Sequence, residues 1–252
     1  MSLPENPRSG SRPLHGIWRL IPSPFVSELL AQAGLDFQIL DCEHGVYDWA
    51  SLATDIMACE GQGCAPFVRV GGANPVEVQR CLDLGAHGLV FPQLATRDDF
   101  ARAAAMMDYP PAGTRGFNPA VRSLGYGGSP SPAGNRPARP WFVPIIETLT
   151  AVEQLGEILQ LHRIDLVYIG SFDLSAQLGC AGNLADPKVV ALIESILAQC
   201  QRAGKAVALI SLSPASTRTL TARGVQVLVH GVESACFRQA VTAMLPQPAQ
   251  RS

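Results

Sequence analysis

The chain has 252 residues, which is long enough for one large domain with a substantial core or for two small ones. Apolar residues make up 47% of it and charged residues only 16%, and the mean hydropathy is +0.16, as expected when strands are buried on both faces. The net charge of −2 and the lack of a basic run argue against nucleic acid or an anionic membrane as a partner.

Two features of the sequence bear on the cellular compartment. Residues 1–13 are rich in Pro, Ser and Arg and have no apolar run, so we expect a flexible N-terminal segment and not a secretory signal. No apolar run elsewhere reaches the length of a membrane span. The seven cysteines, an odd number, lie mostly within apolar or helical patterns, which is typical of reduced thiols. The sequence therefore predicts a cytoplasmic protein with no membrane partner.

Strand patterns and helix patterns alternate along the chain with short connections. Asn74, Pro75 and Gly85 mark one helix clearly, as its N-cap, its first residue and the residue beyond its end. Strands that alternate with helices form parallel sheets through right-handed crossovers, so eight such units predict a single (β/α)₈ TIM-type barrel of the α/β class. No glycine-rich dinucleotide motif follows the first strand, which disfavours an open doubly wound sheet. The predicted strands are 16–18, 37–41, 66–70, 87–91, 141–146, 166–169, 205–210 and 225–230, and the predicted helices are 24–33, 48–59, 75–84, 97–107, 149–159, 187–203, 214–223 and one ending near 245.

One stretch interrupts this alternation. Residues 108–140 are rich in Pro, Gly, Ser and Arg and contain no long apolar pattern, so we expect a long irregular insertion within a barrel domain that spans 14–252. The insertion joins the fourth helix to the fifth strand, which places it at the amino ends of the strands. A surface or interface loop is the expectation for most of its residues.

Four of the predicted strands end in charged or ionisable residues. Strand 37–41 ends at Asp41 and is followed by His44, and the next strand carries Arg69 near its end. Glu147 and Asp173 follow the fifth and sixth strands. Charged groups are too costly to bury unpaired, and catalytic groups of parallel barrels gather at the carboxyl ends of the strands. The repetition predicts an enzyme with its site at this rim.

The residue types at the rim leave several chemistries open. Glu147 and Asp173, on consecutive strands, can hold a hard divalent cation, act as a general acid/base pair, or pair with buried arginines. Asp41 beside His44 can fix the tautomer of the imidazole and make it a general base, although a local turn can also satisfy such a histidine. Arg69 can bind a substrate carboxylate or stabilise an enolate, or form a structural salt bridge.

Lysine is almost absent from the sequence. Only Lys188 and Lys205 occur, one on a predicted helix and the other at the amino end of the seventh strand. A Schiff-base aldolase needs a buried lysine beside the reacting carbonyl, so this chemistry is disfavoured.

Several segments of the sequence occur in an order that is typical of a known protein family. They include Asp41-Cys42-Glu43-His44, Val68-Arg69-Val70, Tyr109-Pro110-Pro111-Ala112-Gly113-Thr114-Arg115-Gly116, Glu147-Thr148 and Ile169-Gly170-Ser171-Phe172-Asp173-Leu174. With them, the chain resembles the HpcH/HpaI aldolase family of metal-dependent class II pyruvate aldolases, over roughly residues 16–233. The resemblance implies an eight-stranded barrel that assembles as a homo-oligomer, usually a hexamer built as a trimer of dimers.

The resemblance also implies roles for the rim residues. Glu147 and Asp173 would ligate Mg²⁺, Mn²⁺ or Co²⁺. Arg69 would hold a 2-oxo acid, pyruvate or oxaloacetate, and stabilise its enolate. His44, supported by Asp41, would transfer protons. Ser171, Phe172 and Asp173 would bind the substrate, with backbone N–H groups around Phe172 and Asp173 receiving its carboxylate.

The chain departs from the family pattern at the acceptor end of the site. Relatives commonly carry Gln two residues before the metal-binding Glu, and here Ile145 stands there; Phe172 is bulkier than the residue usual at its position. The resemblance implies a lyase that cleaves or forms 4-hydroxy-2-oxo acids, with pyruvate and an aldehyde as the other species. An alternative is an oxaloacetate decarboxylase or macrophomate-synthase-like enzyme that gives the enolate to another acceptor. A non-catalytic, degenerate barrel is the third hypothesis.

Overall fold

Eight parallel strands form a closed barrel in the order β1 to β8 in the computed structural model, which describes residues 10, 12–128, 139–164 and 166–245. The predicted (β/α)₈ barrel is therefore confirmed. The strands are β1 (Leu14–Arg19), β2 (Phe37–Asp41), β3 (Ala65–Arg69), β4 (Gly88–Phe91), β5 (Trp141–Ile146), β6 (Leu166–Ile169), β7 (Ala206–Ile210) and β8 (Val227–Val232). The helices are α1 (Pro24–Gln32), α2 (Trp49–Gly61), α3 (Pro75–Leu84), α4 (Arg97–Ala105), α5 (Leu149–Glu153), α6 (Leu155–Ile158), α7 (Ser171–Gln177), α8 (Pro187–Arg202), α9 (Pro214–Ala222) and α10 (Glu233–Met244).

Large aromatic side chains fill the inside of the barrel below the carboxyl ends of its strands. The rings of Phe37, Phe67 and Trp141 pack edge to face, with successive centroids 5.6 Å apart. Gly16 lies opposite Phe37 in the sheet, where a Cβ atom would come within 2.3 Å of the phenylalanine ring. Glycine is therefore required at this position for the ring to enter the barrel. These rings occupy the interior, and the cavity that collects the polar strand ends lies at the carboxyl ends of the strands.

Several elements differ from the sequence-based predictions by one or two residues at an end, and three differences concern the site side of the barrel or the helix pattern. The predicted helix 149–159 is two short helices, because Gln154 between them leaves the helical conformation (φ −94°, ψ 7°). The loop expected after β6 begins with the seven-residue helix α7, which is too short to produce a clear apolar period. Strand β8 continues to Val232, two residues beyond the predicted end. None of the helices in the described ranges has the length and apolar character needed to cross a membrane.

The insertion begins at the amino ends of the strands, as its place in the sequence predicts. Arg115 pairs with Asp83 at 2.7 Å, and Arg122 donates to the Leu84 carbonyl at 2.7 Å, so both contact the C-terminal end of α3. Residues 129–138 of the insertion and nearly all of the expected flexible segment 1–13 lie outside the described residues, so these expectations stay predictions.

Arg19, at the end of β1, is completely buried in a polar network that the sequence did not reveal. Its Nη1 atom donates to Ser27 Oγ at 2.8 Å and to Gln38 Oε1 at 2.7 Å. Its Nη2 atom lies 3.3 Å from Asp55, and its Nε atom lies 3.8 Å from Glu233; both carboxylates are also buried. This network joins α1, α2 and α10 to the first strand.

The network also fixes the loop that follows β1. Glu233 accepts hydrogen bonds of 2.7 Å from the backbone N–H groups of Leu20 and Ile21. Leu20 lines the cavity described below. The buried arginine therefore holds part of the wall of the site through Glu233.

Replacing Arg19 with Met should destabilise the protein by about 3 kcal/mol, because Asp55 and Glu233 would remain buried without their cation. The free energy of unfolding in urea measures this effect. Arg12→Met is the control: Arg12 also pairs with a carboxylate, at 2.6 Å from Asp36, but its side chain is 46% exposed, so we expect a loss below about 1 kcal/mol. Equal losses in the two variants would contradict the assignment of Arg19 as the centre of a buried network.

Candidate active site

The carboxyl ends of the strands surround a cavity of about 360 Å³. It collects residues from β1, β2, β3, β5, β6, β7 and β8 and from the loops that follow them. All of the residues predicted from the strand ends contact it. The lining consists of Trp18, Leu20, Asp41, His44, Arg69, Ile145, Glu147, Tyr168, Gly170, Ser171, Phe172, Asp173, Ile210 and Val232.

Arg69 is held in one orientation by carboxylates and an aromatic ring. Its Nε atom donates to Asp41 Oδ1 at 2.8 Å, and its Nη2 atom donates to the other oxygen of the same carboxylate. Its Nη1 atom lies 3.1 Å from Glu43, and the guanidinium carbon stacks 4.4 Å from the centre of the Trp18 ring. Asp41 is only 1% exposed, so this bidentate pair is protected from water and fixes the arginine.

His44 lies at the mouth of the cavity, and Asp41 bonds to its backbone. Asp41 Oδ1 accepts from the backbone N–H groups of Glu43 (3.0 Å) and His44 (3.2 Å), and its two oxygens also bind Arg69. The carboxylate beside the imidazole is that of Glu43, 3.9 Å from His44 Nε2, and the His44 side chain is 68% exposed. In this structure Asp41 shapes the loop and orients the arginine, and its support of the imidazole stays a prediction.

Glu147 is buried at the end of β5 and is fixed by a residue that the sequence did not indicate. Its Oε1 atom accepts a short hydrogen bond from the backbone N–H of Gln93, in the loop after β4. Gln93 has a positive φ of 57°, which is uncommon for a residue other than glycine. The Gln93 side chain donates to Glu43 at 2.7 Å. One loop residue thus connects Glu147 with the Arg69 cluster.

Gly170 allows Glu147 and the start of α7 to approach each other. A Cβ atom on Gly170 would lie 2.5 Å from the Glu147 Cβ and 3.1 Å from its Oε2 atom, so a larger residue does not fit there. Asp173 follows in the first turn of α7 and lines the same cavity. Burial raises the pKa of Glu147 to about 7, and the neighbouring carboxylates of Asp173 and Glu43 add to this rise.

The two carboxylates fit a divalent cation. Glu147 and Asp173 offer hard oxygen ligands to one cavity, and a cation there would favour the ionised form of Glu147 against the burial and the neighbouring carboxylates that raise its pKa. Within the described ranges, no group of three or more His, Cys, Asp or Glu side chains is placed to hold a metal ion. A cation held by two carboxylates would therefore keep positions open for water and substrate, as catalytic sites require.

If Glu147 holds the cation, binding should strengthen with pH up to about pH 7, because a cation would bind only the ionised form of this carboxyl. Since the pKa of this carboxyl is about 7, a proton competes with the cation below that pH. We expect the association constant for Mn²⁺ to fall roughly tenfold per pH unit below pH 7 and to level off above it. Titration calorimetry from pH 5.5 to 8.5 measures this dependence. Glu147→Gln should abolish it, and an unchanged slope in that variant would assign the titration to another group.

The remaining predicted residues lie at the start of α7. Ser171 is buried and bonds to the Ile169 carbonyl at 3.4 Å, whereas Phe172 is 45% exposed and forms part of the cavity wall. Neither lysine contributes to the cavity: Lys188 is exposed on α8, and Lys205 donates to the Leu161 carbonyl at 3.1 Å. Neither lysine therefore lies beside the cavity, where a Schiff-base aldolase would need it.

A closed (β/α)₈ barrel that gathers an arginine, a histidine and carboxylates at one rim defines a barrel enzyme. Residues 15–240 match the family model described as HpcH/HpaI aldolase/citrate lyase, so the chain belongs to this family. It is a lyase of the metal-dependent class II aldolase type.

Individual relatives agree with this assignment along nearly the whole chain. The chain is 31% identical to the 5-keto-4-deoxy-D-glucarate aldolase of Salmonella paratyphi C (strain RKS4594) over 223 residues, which cover 88% of this chain and 87% of the relative. The structure of this chain is similar to that of an HpcH/HpaI aldolase/citrate lyase family protein from Burkholderia cenocepacia J2315, with a TM-score of 0.88 and 29% identity. The match covers 94% of this chain and 95% of the other. Macrophomate synthase is also similar, with a TM-score of 0.81, 25% identity and coverage of 91% and 82%.

Proposed function

We propose that the protein reversibly cleaves 4-hydroxy-2-oxo acids to pyruvate and an aldehyde, with Mg²⁺, Mn²⁺ or Co²⁺ held by Glu147 and Asp173. The observation that carries this proposal is that these carboxylates line one cavity with Arg69, whose guanidinium is fixed by Asp41. Chemistry on a 2-oxo acid needs a partner for the oxygens of the acid, which a fixed arginine provides. It also needs ligands for a cation, which the two carboxylates provide.

The substrate would lie with its 2-oxo acid end toward Arg69. The two terminal nitrogens of Arg69 retain N–H groups beyond those directed at Asp41 and Glu43, so they can bind a carboxylate or enolate oxygen. Phe172 and Asp173 are in the first turn of α7, where backbone N–H groups have no acceptor within the helix and can receive the substrate carboxylate. Ser171 precedes them and supports this turn through its hydroxyl group.

Cleavage would begin at the C4 hydroxyl group. His44 would take its proton, the O–H electrons would form the aldehyde C=O bond, and the electrons of the broken C3–C4 bond would pass to the enolate. The cation supplies charge stabilisation for that enolate. Arg69 would stabilise the same charge, and transfer of a proton from His44 or water to C3 would give pyruvate. The position of His44 at the mouth allows it to exchange its proton with water.

Release of pyruvate from a 4-hydroxy-2-oxo acid tests this proposal. We expect release with added Mn²⁺ or Mg²⁺, complete loss of release with excess EDTA, and recovery when the cation is restored. A coupled assay that reduces pyruvate with NADH gives the rate. Release at an unchanged rate after removal of the cation would rule the proposal out.

In the second candidate function, decarboxylation of oxaloacetate forms the enolate. An acceptor other than a simple aldehyde then captures it. The apolar residues Ile145 and Phe172 beside Glu147 favour this second candidate, and macrophomate synthase has a similar structure. Incubation with oxaloacetate, with and without an acceptor, separates the two candidates, because only the second consumes the acceptor with release of CO₂. The non-catalytic hypothesis conflicts with membership in an aldolase family.

We further propose that the protein functions as a homo-oligomer, a hexamer built from dimers, in the cytoplasm. Support for assembly comes from α10, whose residues from 236 onward are all exposed, including Phe237, Val241 and Met244 on one face. Such a continuous apolar face is typical of an interface. Support for the compartment comes from the seven cysteines, all of which are free thiols.

Replacing Phe237 with Glu should therefore reduce the molecular mass measured by light scattering after gel filtration, because a charge would enter the apolar face of α10. Gln239→Glu is the matched control, since residue 239 lies on the opposite side of the same helix. A mass equal to one chain in the unmodified protein would contradict assembly. Equal masses for the unmodified protein and Phe237→Glu would show that this face is not the interface.

A further inference from the structure

The walls of the active-site cavity differ sharply in polarity. Asp41, Arg69, Glu147 and Asp173 form one part of the lining. The remainder is built mainly from aliphatic and aromatic side chains contributed by the loop after β1 and by β5, α7, β7 and β8: Leu20, Ile145, Phe172, Ile210 and Val232. If the 2-oxo acid end occupies the polar part, as the proposed function requires, the rest of the substrate extends along the apolar part.

Two polar groups deeper in the cavity are bonded to each other, and the Tyr168 hydroxyl keeps one O–H group to donate. The Trp18 indole N–H donates to the Tyr168 hydroxyl at 3.1 Å, and burial raises the pKa of this phenol to about 12, so it stays neutral. Ile145 is 1% exposed and presents only carbon atoms. A polyhydroxylated substrate would therefore lose more hydrogen bonds to water along this wall than the single Tyr168 hydroxyl can replace.

Among the described residues of one chain, the charges of the lining offer no partner for a second carboxylate. The lining residues that can carry positive charge are Arg69 and His44. Arg69 is bonded to Asp41 and lies 3.1 Å from Glu43, and His44 faces Glu43 at 3.9 Å at the mouth. The four carboxylates Asp41, Glu43, Glu147 and Asp173 outnumber the three positive charges of one divalent cation and Arg69, so the described residues leave no positive charge for a carboxylate at the far end of the substrate.

From this arrangement we infer that the acceptor is an uncharged aldehyde with an aliphatic or aromatic substituent, so that the 4-hydroxy-2-oxo acid is a monocarboxylate with an apolar tail. This inference rests on the proposed function and adds the substrate class to it. The reaction is otherwise unchanged: the C3–C4 bond forms or breaks, and the C4 oxygen gains or loses one proton.

A matched pair of aldehydes tests the inference in the direction of synthesis. 4-Methylpentanal and succinic semialdehyde have the same shape, but the second ends in a carboxylate where the first ends in two methyl groups. With the Mn²⁺-loaded protein and saturating pyruvate, we expect kcat/KM for 4-methylpentanal to be at least 30-fold higher. Equal values, a preference for succinic semialdehyde, or consumption of neither aldehyde would overturn the inference.

The enolate half of the reaction is measured separately, so that the two proposals can fail independently. Pyruvate incubated with the loaded protein in D₂O should exchange the hydrogens at C3 for deuterium, without any aldehyde, as followed by proton NMR. Exchange together with a preference for the carboxylate aldehyde would retain the proposed function and reject the substrate class. No exchange and no aldol product would reject both.

A substitution in the apolar wall gives a second readout. Ile210→Arg places a cation at the end of β7, and we expect it to reduce the ratio of the two kcat/KM values at least tenfold. Val190→Arg is the control, because Val190 is an exposed residue on the outer helix α8 and should leave the ratio unchanged. The exchange rate in D₂O shows whether each variant retains a folded site. A ratio that stays constant in Ile210→Arg with exchange intact would contradict the assignment of this wall to the acceptor.

Discussion

Glu147→Gln should lower kcat/KM for pyruvate release by about 10³-fold or more, because a cation that stabilises an enolate contributes several kcal/mol to the rate. Glutamine keeps the volume of the side chain and an oxygen that can accept from the Gln93 N–H group. It removes only the charge that would hold the cation. Calorimetry with Mn²⁺ should show a large loss of affinity in the same variant.

The same substitution should leave the fold intact. The pKa of Glu147 is raised to about 7 mainly by burial, so the ionised carboxylate is unfavourable in the cation-free protein above that pH. The melting temperature of cation-free Glu147→Gln at pH 8 should therefore equal or exceed that of the unmodified protein. Glu153→Gln, at an exposed position on the adjacent helix α5, should change neither activity nor Mn²⁺ affinity. Full activity in Glu147→Gln would remove this residue from the proposed metal site.

The barrel and the gathering of charged residues at its rim could be predicted because each depends on local patterns. Eight apolar runs with helices between them define the strands, and the residue that ends each run must lie at the rim in a parallel barrel. Arg69, Glu147 and Asp173 were identified in this way, and all three line the cavity.

Contacts between side chains on neighbouring strands could not be predicted from the sequence. Asp41 precedes His44 by three residues, which suggested a dyad, and in the structure a side chain on the neighbouring strand, Arg69, binds Asp41. The register that pairs Asp41 with Arg69 across β2 and β3 cannot be deduced from either segment alone.

Gln93 and Arg19 were missed for related reasons. Gln93 acts through its backbone N–H group in a left-handed conformation. The identity of a residue does not indicate such a role. Arg19 follows a short apolar pattern and would be taken for a surface residue, although three other elements bury it completely. Both depend on segments distant in sequence, so only the folded chain reveals them.

Arg69→Lys should reduce kcat/KM by about 10²- to 10³-fold, the range typical of losing one group that stabilises a developing oxyanion. A guanidinium can bind both oxygens of Asp41, stack on Trp18 and still direct N–H groups into the cavity. The lysine ammonium is a single point of charge and cannot keep this orientation. The rate of deuterium exchange at C3 of pyruvate is the most direct measurement, because it reports enolate formation without the aldehyde.

The affinity for Mn²⁺ distinguishes the role of Arg69 from that of Glu147. Arg69 is not a proposed ligand, and lysine keeps its positive charge close to the same position. Arg69→Lys should therefore change the affinity for Mn²⁺ by less than about tenfold. Arg102→Lys is the control, since Arg102 is 66% exposed on α4 and should leave both exchange and affinity unchanged. If Arg69→Lys exchanged deuterium within threefold of the unmodified rate, the guanidinium would be a structural partner of Asp41 and not a group that stabilises the enolate. Slow exchange with intact Mn²⁺ binding would instead separate the two halves of the site, with the cation on Glu147 and Asp173 and the oxyanion on Arg69.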